Sequence, residues 1–249
     1  MGRGEEAARA SPEQRVSARV GARMRRWPGT VLFLAAAGSS SLGCRGPEEE
    51  LLDRYLLASQ RSDNQTVAAL SMVAFPHEVE SWNVLELSEA TAEPYAVPEL
   101  RKGVEAAKDE RDTQFKEFGR FRQENYETLR RIGARLREDP EYHFSGRLGE
   151  LQDQWEAYRL QRRQVVAKLR DAEIALEQEI RRVNKSLQRP SSPEYLTGET
   201  LRKQARVRVT TPSGDAVHRI TLTKYELENQ FGALVPSRWI ITAVEQAES

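Results

Sequence analysis

The sequence predicts an α+β protein, a small antiparallel sheet with N-terminal helices plus a long antiparallel coiled-coil helical hairpin. Two observations lead to this class, and a third excludes a membrane span. Apolar residues recur every three or four positions through residues 99–188, which is typical of paired helices. Apolar and polar residues alternate within residues 79–87 and again towards the C-terminus, which indicates strands. The apolar run near the N-terminus is too short for a membrane span, which needs about 20 residues.

Residues 24–44 have the pattern of an export signal. Arg25 and Arg26 form a basic start, residues 31–37 form a short apolar run, and small residues lead to Cys44, the only cysteine of the chain. This segment resembles a bacterial lipoprotein signal peptide. The resemblance implies that residues 24–43 are removed and that Cys44 is lipidated, with palmitate among its acyl chains. Residues 1–23 are then a non-native leader upstream of the true start.

Lipidation at Cys44 implies attachment to the bilayer of a bacterial cell envelope, with the protein facing the periplasm. Arg45 follows the cysteine, whereas Asp at this position retains lipoproteins on the inner membrane of enteric-type bacteria, so the outer membrane is favoured. The alternative is an ordinary secreted protein with a free thiol, because an unpaired cysteine in an exported protein needs an explanation.

The charge balance argues against nucleic acid as a partner. The whole chain has a net charge of zero, and loss of residues 1–43, with seven Arg and three Glu, leaves a net charge of −4. Nucleic-acid binding needs a concentrated basic face, and the remaining sequence contains no basic block of that kind.

The segment before the hairpin predicts two helices and a strand. Apolar residues on one face indicate a first helix from Glu48, and a polar break follows at residues 61–64, where Asp63 or Asn64 is expected to cap a second helix. Pro76 is expected to end that helix. Residues 79–87 then predict a strand, and a proline-containing connector leads to the hairpin.

Residues 99–188 predict two helices that fold back on each other, because Pro140 interrupts the helical pattern near its centre. The seam between the helices is expected to pair apolar residues at both ends. In the middle, polar seam residues meet aromatic ones, with Asn125 facing Trp155, Arg122 facing Tyr158 and Arg162 facing Phe118. Helices of about 40–45 residues would make an arm of roughly 60–65 Å.

Tyr142, His143 and Phe144 lie at the predicted hairpin tip. Two interpretations are open. They form a knob that binds an unknown envelope protein, or they cap the end of the coiled coil. Self-association is a further alternative, because Val183 and Leu187 extend the seam beyond the first helix and could recruit a second hairpin into a homo-oligomer.

The C-terminal segment predicts a meander of three antiparallel strands. The strand at residues 205–211 is followed by a turn at residues 212–215, a return strand at residues 216–225 and a third strand at residues 238–245. Four aromatic residues of the predicted sheet either line a pocket or fill the core: Trp82, in the strand at residues 79–87, and Tyr225, Phe231 and Trp239, in the C-terminal segment.

No catalytic motif is present in the sequence, and we expect no metal site and no cofactor. The three histidines, His77, His143 and His218, are far apart in sequence and belong to different elements. His218 lies near the strand turn, so we expect it on an exposed hairpin.

The two ends of the chain together resemble nuclear-transport-factor-2-like domains. Their residues are the opening motif from Tyr55 to Asp63, the strand phrases RVRVTTPSG and ITLTK, and the closing motif from Trp239 to Val244. The resemblance implies a cone-shaped α+β domain built from residues 44–98 and 189–249, with residues 99–188 inserted as the hairpin. It implies a fold and no particular activity.

The sequence therefore favours a non-enzymatic, lipid-anchored envelope protein that presents a coiled-coil arm to another protein. A small-ligand-binding or enzymatic cone domain is one alternative. A periplasmic adaptor of an efflux or secretion system is another, since such adaptors also combine a helical hairpin with β-structure.

Overall fold

A computed structural model describes residues 46–188 and 192–247, which form an α+β fold. These residues contain five α-helices, a short 3₁₀ turn at Pro193–Tyr195 and one six-stranded antiparallel sheet. The helices are α1 (Pro47–Gln60), α2 (Asn64–Leu70), α3 (Val97–Glu124), α4 (Tyr126–Glu138) and α5 (Arg147–Ser186). The strands are β1 (Ser81–Leu87), β2 (Thr91–Pro94), β3 (Thr197–Thr211), β4 (Gly214–Glu228), β5 (Leu234–Val235) and β6 (Ile240–Gln246). The predicted α+β class is confirmed.

β3 and β4 form the centre of the sheet and pair along their whole length, from Thr197 opposite Glu228 to Thr211 opposite Gly214. Gly214 has a φ of 122° at the turn, a conformation that glycine adopts without steric cost. β1 and β2 pair with the outer edge of β3, and β6 and β5 pair with the outer edge of β4. The predicted three-strand meander is therefore confirmed as β3, β4 and β6.

Helices α1 and α2 cover one face of the sheet. Leu52, Tyr55 and Leu56 of α1 are fully buried in a core that also contains alternate residues of β3 and β4. Each such side chain contributes about 1.5–3 kcal/mol when it leaves water. The Tyr55 hydroxyl donates a hydrogen bond to the carbonyl oxygen of Val73, at 3.1 Å. Packed side chains therefore fill the space between α1, α2 and the sheet.

The cap of α2 follows the prediction, whereas its end does not. The Asp63 carboxylate accepts a hydrogen bond from the Thr66 amide at 3.0 Å, as an N-cap residue does. The helix ends at Leu70 and does not continue to Pro76. The chain turns away there because the Met72 amide donates to the carbonyl oxygen of Ile241 in β6, at 2.8 Å. A contact with a strand distant in sequence therefore ends the helix.

Strand β2 was not predicted, since its sequence reads as part of the connector before the hairpin. Thr91–Pro94 pairs with β3 from Arg202 to Glu199. Pro94 is accommodated because it lies at the end of an edge strand, where its missing amide proton is not needed. β3 accordingly begins at Thr197 and not at the predicted Ala205.

Helices α3 and α4 pack along α5 in the opposite chain direction. Ala107 shares an apolar cluster with Leu169, and the rings of Phe118 and Tyr158 lie 6.0 Å apart. Towards the tip, a Cβ at Gly133 would lie 3.8 Å from the Trp155 ring. Positions thus rise along α3 and α4 while they fall along α5, and we call these three helices with their connections the hairpin.

The first half of the hairpin is two helices and not one. The Asn125 side-chain amide donates to the carbonyl oxygen of Phe121 at 2.9 Å, and Asn125 ends α3. Asparagine side chains compete in this way with the helical backbone. Phe121, not the predicted Arg122, is buried against Tyr158, with ring centroids 4.8 Å apart. Leu148, which the apolar spacing of residues 99–188 places in the seam opposite Ile132, is instead 41% exposed.

Val183 and Leu187 do not extend beyond the hairpin as predicted. Both are buried in a second apolar cluster, which we call the root, where the hairpin joins the sheet. The root residues are Tyr95, Val97, Val183, Leu187, Leu196, Tyr225 and Leu227. Because these two side chains are covered by the chain's own sheet, they cannot recruit a second hairpin.

Candidate interaction surface

Cys44, the predicted lipidation site, lies outside the described residues. The described chain begins at Gly46, and α1 starts at Pro47. Proline suits the first helical position because its fixed φ matches the helix. Glu48, Glu49 and Glu50 occupy the first turn, where negative charge favours the helix dipole.

Tyr142, His143 and Phe144 lie in the connection between α4 and α5. The rings of Tyr142 and Phe144 meet edge to face at 4.8 Å, and the Arg135 guanidinium lies 4.7 Å from the centre of the Tyr142 ring. Phe144 packs into the apolar cluster between the helices. Tyr142 is 36% exposed, and the His143 side chain is 63% exposed beside Asp153. Phe144 therefore closes the end of the helices, while Tyr142 and His143 face solvent.

Gln152 holds this connection in place. Its side-chain oxygen accepts from the Phe144 amide at 3.0 Å, and its side-chain nitrogen donates to the Tyr142 carbonyl oxygen at 3.1 Å. Gly149 allows the close approach, because a Cβ there would lie 2.2 Å from the Phe144 carbonyl oxygen. Sequence reasoning did not single out Gln152 or Gly149. The sequence signal that could have identified this contact is Gly149 itself, because a glycine within a helix often marks a close approach of another part of the chain.

The middle of the hairpin is stabilised by stacking of cations on aromatic rings. The Arg162 guanidinium lies 4.8 Å from the Phe115 ring centre and 5.9 Å from that of Phe118. Such contacts contribute about 0.5–1 kcal/mol at exposed positions. The predicted contact between Arg162 and Phe118 is present, and Phe115, which is 37% exposed, shares it.

A hydrogen-bonded group at the root joins α5 to the sheet. The Tyr225 hydroxyl donates to the Glu179 carboxylate at 2.8 Å, and Arg182 donates to the same carboxylate at 2.9 Å. Burial raises the pKa of Tyr225, and the negative charge of Glu179 raises it further. Tyr225 therefore remains a neutral donor. Because Tyr225 lies on β4 and Glu179 lies on α5, their hydrogen bond fixes the position at which α5 packs against the sheet.

The C-terminal end of α2 is held by two cations. Lys185 donates to the carbonyl oxygen of Ser71 at 2.7 Å, and Arg238 donates to that of Ala69 at 3.0 Å. Cations near a helix C-terminus satisfy its last carbonyls and favour its dipole. Burial lowers the pKa of Lys185, and the nearby Arg238 lowers it further. These two hydrogen bonds hold the end of α2 against the end of α5, which carries Lys185, and against the residues before β6, which include Arg238.

The four aromatic residues considered as pocket-lining do not meet in one place. Trp82 and Trp239 are half-buried against the core under α1 and α2. Tyr225 is buried in the root, and Phe231 is 83% exposed between β4 and β5. The Trp82 indole donates to the Asp53 carboxylate at 3.0 Å. Three of the four therefore pack within the protein, as the core interpretation predicts.

His218 is fully buried, contrary to the expectation of an exposed hairpin. Its ring lies 4.8 Å from that of Phe75 and 6.0 Å from that of His77. Within the described part of the chain, neither ring nitrogen of His218 has a hydrogen-bond partner. Burial lowers the pKa of His218, and the neighbouring His77 lowers it further. His218 is therefore neutral at pH 7.

In residues 46–188 and 192–247, no three side chains of the His, Cys, Asp or Glu type converge as metal ligands would. Over the same ranges, no helix combines the length and the apolar character that a membrane span requires. Comparison of the chain with protein-family models, with curated proteins and with solved structures found no match.

Proposed function

We propose that this chain is a non-enzymatic, lipid-anchored protein of the bacterial cell envelope that presents its helical hairpin as a coiled-coil arm for protein–protein interaction. The observation that carries the proposal is the construction of the hairpin beyond the root. Its apolar clusters, one around Val104 and Leu169 and one around Ile132, consist of hairpin residues alone. The hairpin therefore has its own core and needs no cover from the sheet.

The tip adds support for a binding role. Tyr142 and His143 face solvent on a connection that Gln152 holds by two hydrogen bonds. A rigid, partly exposed aromatic side chain loses little conformational entropy on binding, and tyrosine is frequent at interface hot spots. The signal pattern at residues 24–44 supports the anchor, because the several acyl chains of a lipoprotein cysteine bind a bilayer stably where a single chain does not.

The proposal is tested by photo-crosslinking in living cells that make the full chain. A photoreactive amino acid at Tyr142 is expected to yield a discrete crosslinked species, because the tip contacts the partner. The same amino acid at Glu124, an exposed residue at the end of α3, serves as the matched control. His143→Ala should weaken the Tyr142 crosslink without loss of helical signal.

Equal crosslinking at Tyr142 and Glu124 would contradict a partner site at the tip. Deletion of the whole hairpin is a poorer test, since it removes Val183 and Leu187 from the root and exposes the apolar side chains they cover.

A further inference from the structure

A second heptad-spaced row of residues runs along α5, away from its contact with α3. The row, which we call the outer stripe, lies beside the buried seam residues Val165 and Leu169 and is exposed throughout. Its members are spaced alternately by four and three positions: Arg159, Arg163, Val166, Arg170, Glu173 and Glu177. Heptad spacing of this kind is the geometry by which one helix packs along another.

Several cations of the hairpin pair with carboxylates of the same chain, and others do not. Lys168 pairs with Glu110 and Arg181 pairs with Glu177. Arg163 and Arg170, by contrast, form no ion pair with any carboxylate of the described residues. These arginines border a shallow groove with Val166, which is 45% exposed, and Ile174, which is 39% exposed. Unpaired guanidinium groups around exposed aliphatic side chains form a surface suited to carboxylates.

The outer stripe carries its complement on the same helix. Its N-terminal half is basic, with Arg159 and Arg163, and its C-terminal half is acidic, with Glu173 and Glu177. We propose that two copies of this chain associate through their outer stripes, with the two α5 helices antiparallel about a two-fold axis midway between Val166 and Arg170. A two-fold interface requires a self-complementary patch, and this charge order provides one.

In this alignment Arg159 faces Glu177 of the second copy, Arg163 faces Glu173, and Val166 faces Arg170. The two-fold axis repeats each contact. The aliphatic stem of Arg170 covers Val166 while its charged head remains in water. Each residue of the stripe thereby meets a complementary one.

Two other alignments of the stripe oppose like charges. A parallel pair places Arg163 against Arg163 and Glu173 against Glu173. An antiparallel pair shifted by one heptad places Arg159 against Arg170. Like charges in direct opposition disfavour an interface. A shift of one heptad the other way places Arg170 against Glu173 but leaves Arg159 and Arg163 without acidic partners. The alignment about the axis between Val166 and Arg170 therefore forms the most ion pairs.

The association is expected to be modest and sensitive to salt. Exposed ion pairs contribute about 0.2–1 kcal/mol each, and ions screen them within a Debye length of about 10 Å at 0.1 M salt. This inference goes beyond the proposed function, because it requires neither the lipid nor an outside partner and does not involve the tip.

Charge reversal on the full-length Cys44→Ser chain tests the inference by sedimentation equilibrium at low salt. The parent chain should reach twice the mass of a single copy. Glu173→Arg with Glu177→Arg should raise the dimer dissociation constant at least about tenfold, and Arg159→Glu with Arg163→Glu should do the same. An equimolar mixture of the two variants should form heterodimers, because all four facing charge pairs are then complementary.

Asp109→Arg with Glu124→Arg is the matched control, since it makes the same charge change on the exposed face of α3. This control should dimerise like the parent chain, and circular dichroism should show equal helix content in all variants. A parent chain that stays monomeric at every concentration overturns the inference. Reversal variants that still dimerise, or a mixture without heterodimers, overturn it as well.

Discussion

At the residue scale, His218 makes the stability of the fold depend on pH. The folded pKa of His218 is lowered by burial and by His77, so the unfolded state binds the proton first as the pH falls. The part of the free energy of unfolding that depends on neutral His218 is fully present above the unfolded pKa of about 6.5. It is lost as the pH falls from there towards the folded pKa, and the loss then levels off.

We predict that the free energy of unfolding, measured with urea between pH 7.5 and pH 5, falls by up to about 1.4 kcal/mol per pH unit, the limit for one proton. His218→Leu should remove this slope, because the buried imidazole is gone. His143→Gln, a change at an exposed histidine of the tip, should leave it in place. A slope that persists in His218→Leu would assign the effect to other groups.

Two glycines of the hairpin, Gly149 and Gly119, are expected to respond to substitution by alanine in opposite ways, one with a loss and the other with a gain of stability. Ala is better than Gly in a helix by about 1 kcal/mol, yet a Cβ at Gly149 would lie 2.2 Å from a backbone oxygen of the tip. Gly149→Ala should therefore destabilise the tip by about 1–3 kcal/mol. Gly119→Ala, where a Cβ meets no atom within 4 Å, should instead stabilise α3.

Hydrogen exchange of the backbone amides measures the effect of both substitutions on local stability. Gly149→Ala should accelerate exchange at the Phe144 amide, which bonds Gln152, while Gly119→Ala should slow exchange along α3. Equal effects of the two substitutions would contradict the steric role of Gly149.

Sequence reasoning succeeded at single residues where the signal was local. The Asp63 cap depends on an amide three positions away, so the local pattern was sufficient. His218 was misplaced because its burial depends on Phe75 and His77, which are more than a hundred positions away in the chain. The residues around the turn carry no information about side chains from a distant segment that bury His218.

At the element scale, periodicity predicted the long helices well, because a sustained apolar row determines which face is buried. The break at Asn125 was missed, since one asparagine interrupts a heptad pattern only weakly. Strand β2 was missed because Thr91–Pro94 has little strand character, and its pairing with β3 alone makes it a strand.

The root is the element-scale contact on which the direction of α5 depends. Glu179 is 4% exposed and accepts from both Tyr225 and Arg182. We predict that Glu179→Ala lowers the free energy of unfolding by about 1–3 kcal/mol, because it leaves the buried Tyr225 hydroxyl without its acceptor. Chemical denaturation measures the change.

Gln178→Ala is the matched control for the root, since Gln178 is the exposed neighbour of Glu179 on α5 and lies outside the outer stripe. It should change the free energy of unfolding by less than about 0.5 kcal/mol. Tyr225→Phe should fall between the two, because Arg182 still pairs with Glu179. Equal stability of Glu179→Ala and Gln178→Ala would rule out the root as a structural joint.

At the whole-molecule scale, the described residues form a six-stranded sheet that α1 and α2 cover and that α5 contacts at the root. The α+β class and the antiparallel sheet followed from the sequence pattern. The tip residues were identified from their position beside Pro140, but the support from Gln152 and Gly149 was not. The anchor remains a prediction from residues 24–44, and the proposal of an envelope protein depends on it.

The most direct test of that proposal is mass spectrometry of the N-terminal peptide of the mature protein, purified from the membrane fraction of bacteria that make the full chain. We predict that this peptide begins at Cys44, carries acyl chains and lacks residues 1–43. We also predict that Cys44→Ser removes the acyl mass and moves the protein out of the membrane fraction. A peptide that begins elsewhere, or a Cys44→Ser chain that remains in the membrane fraction, would contradict it.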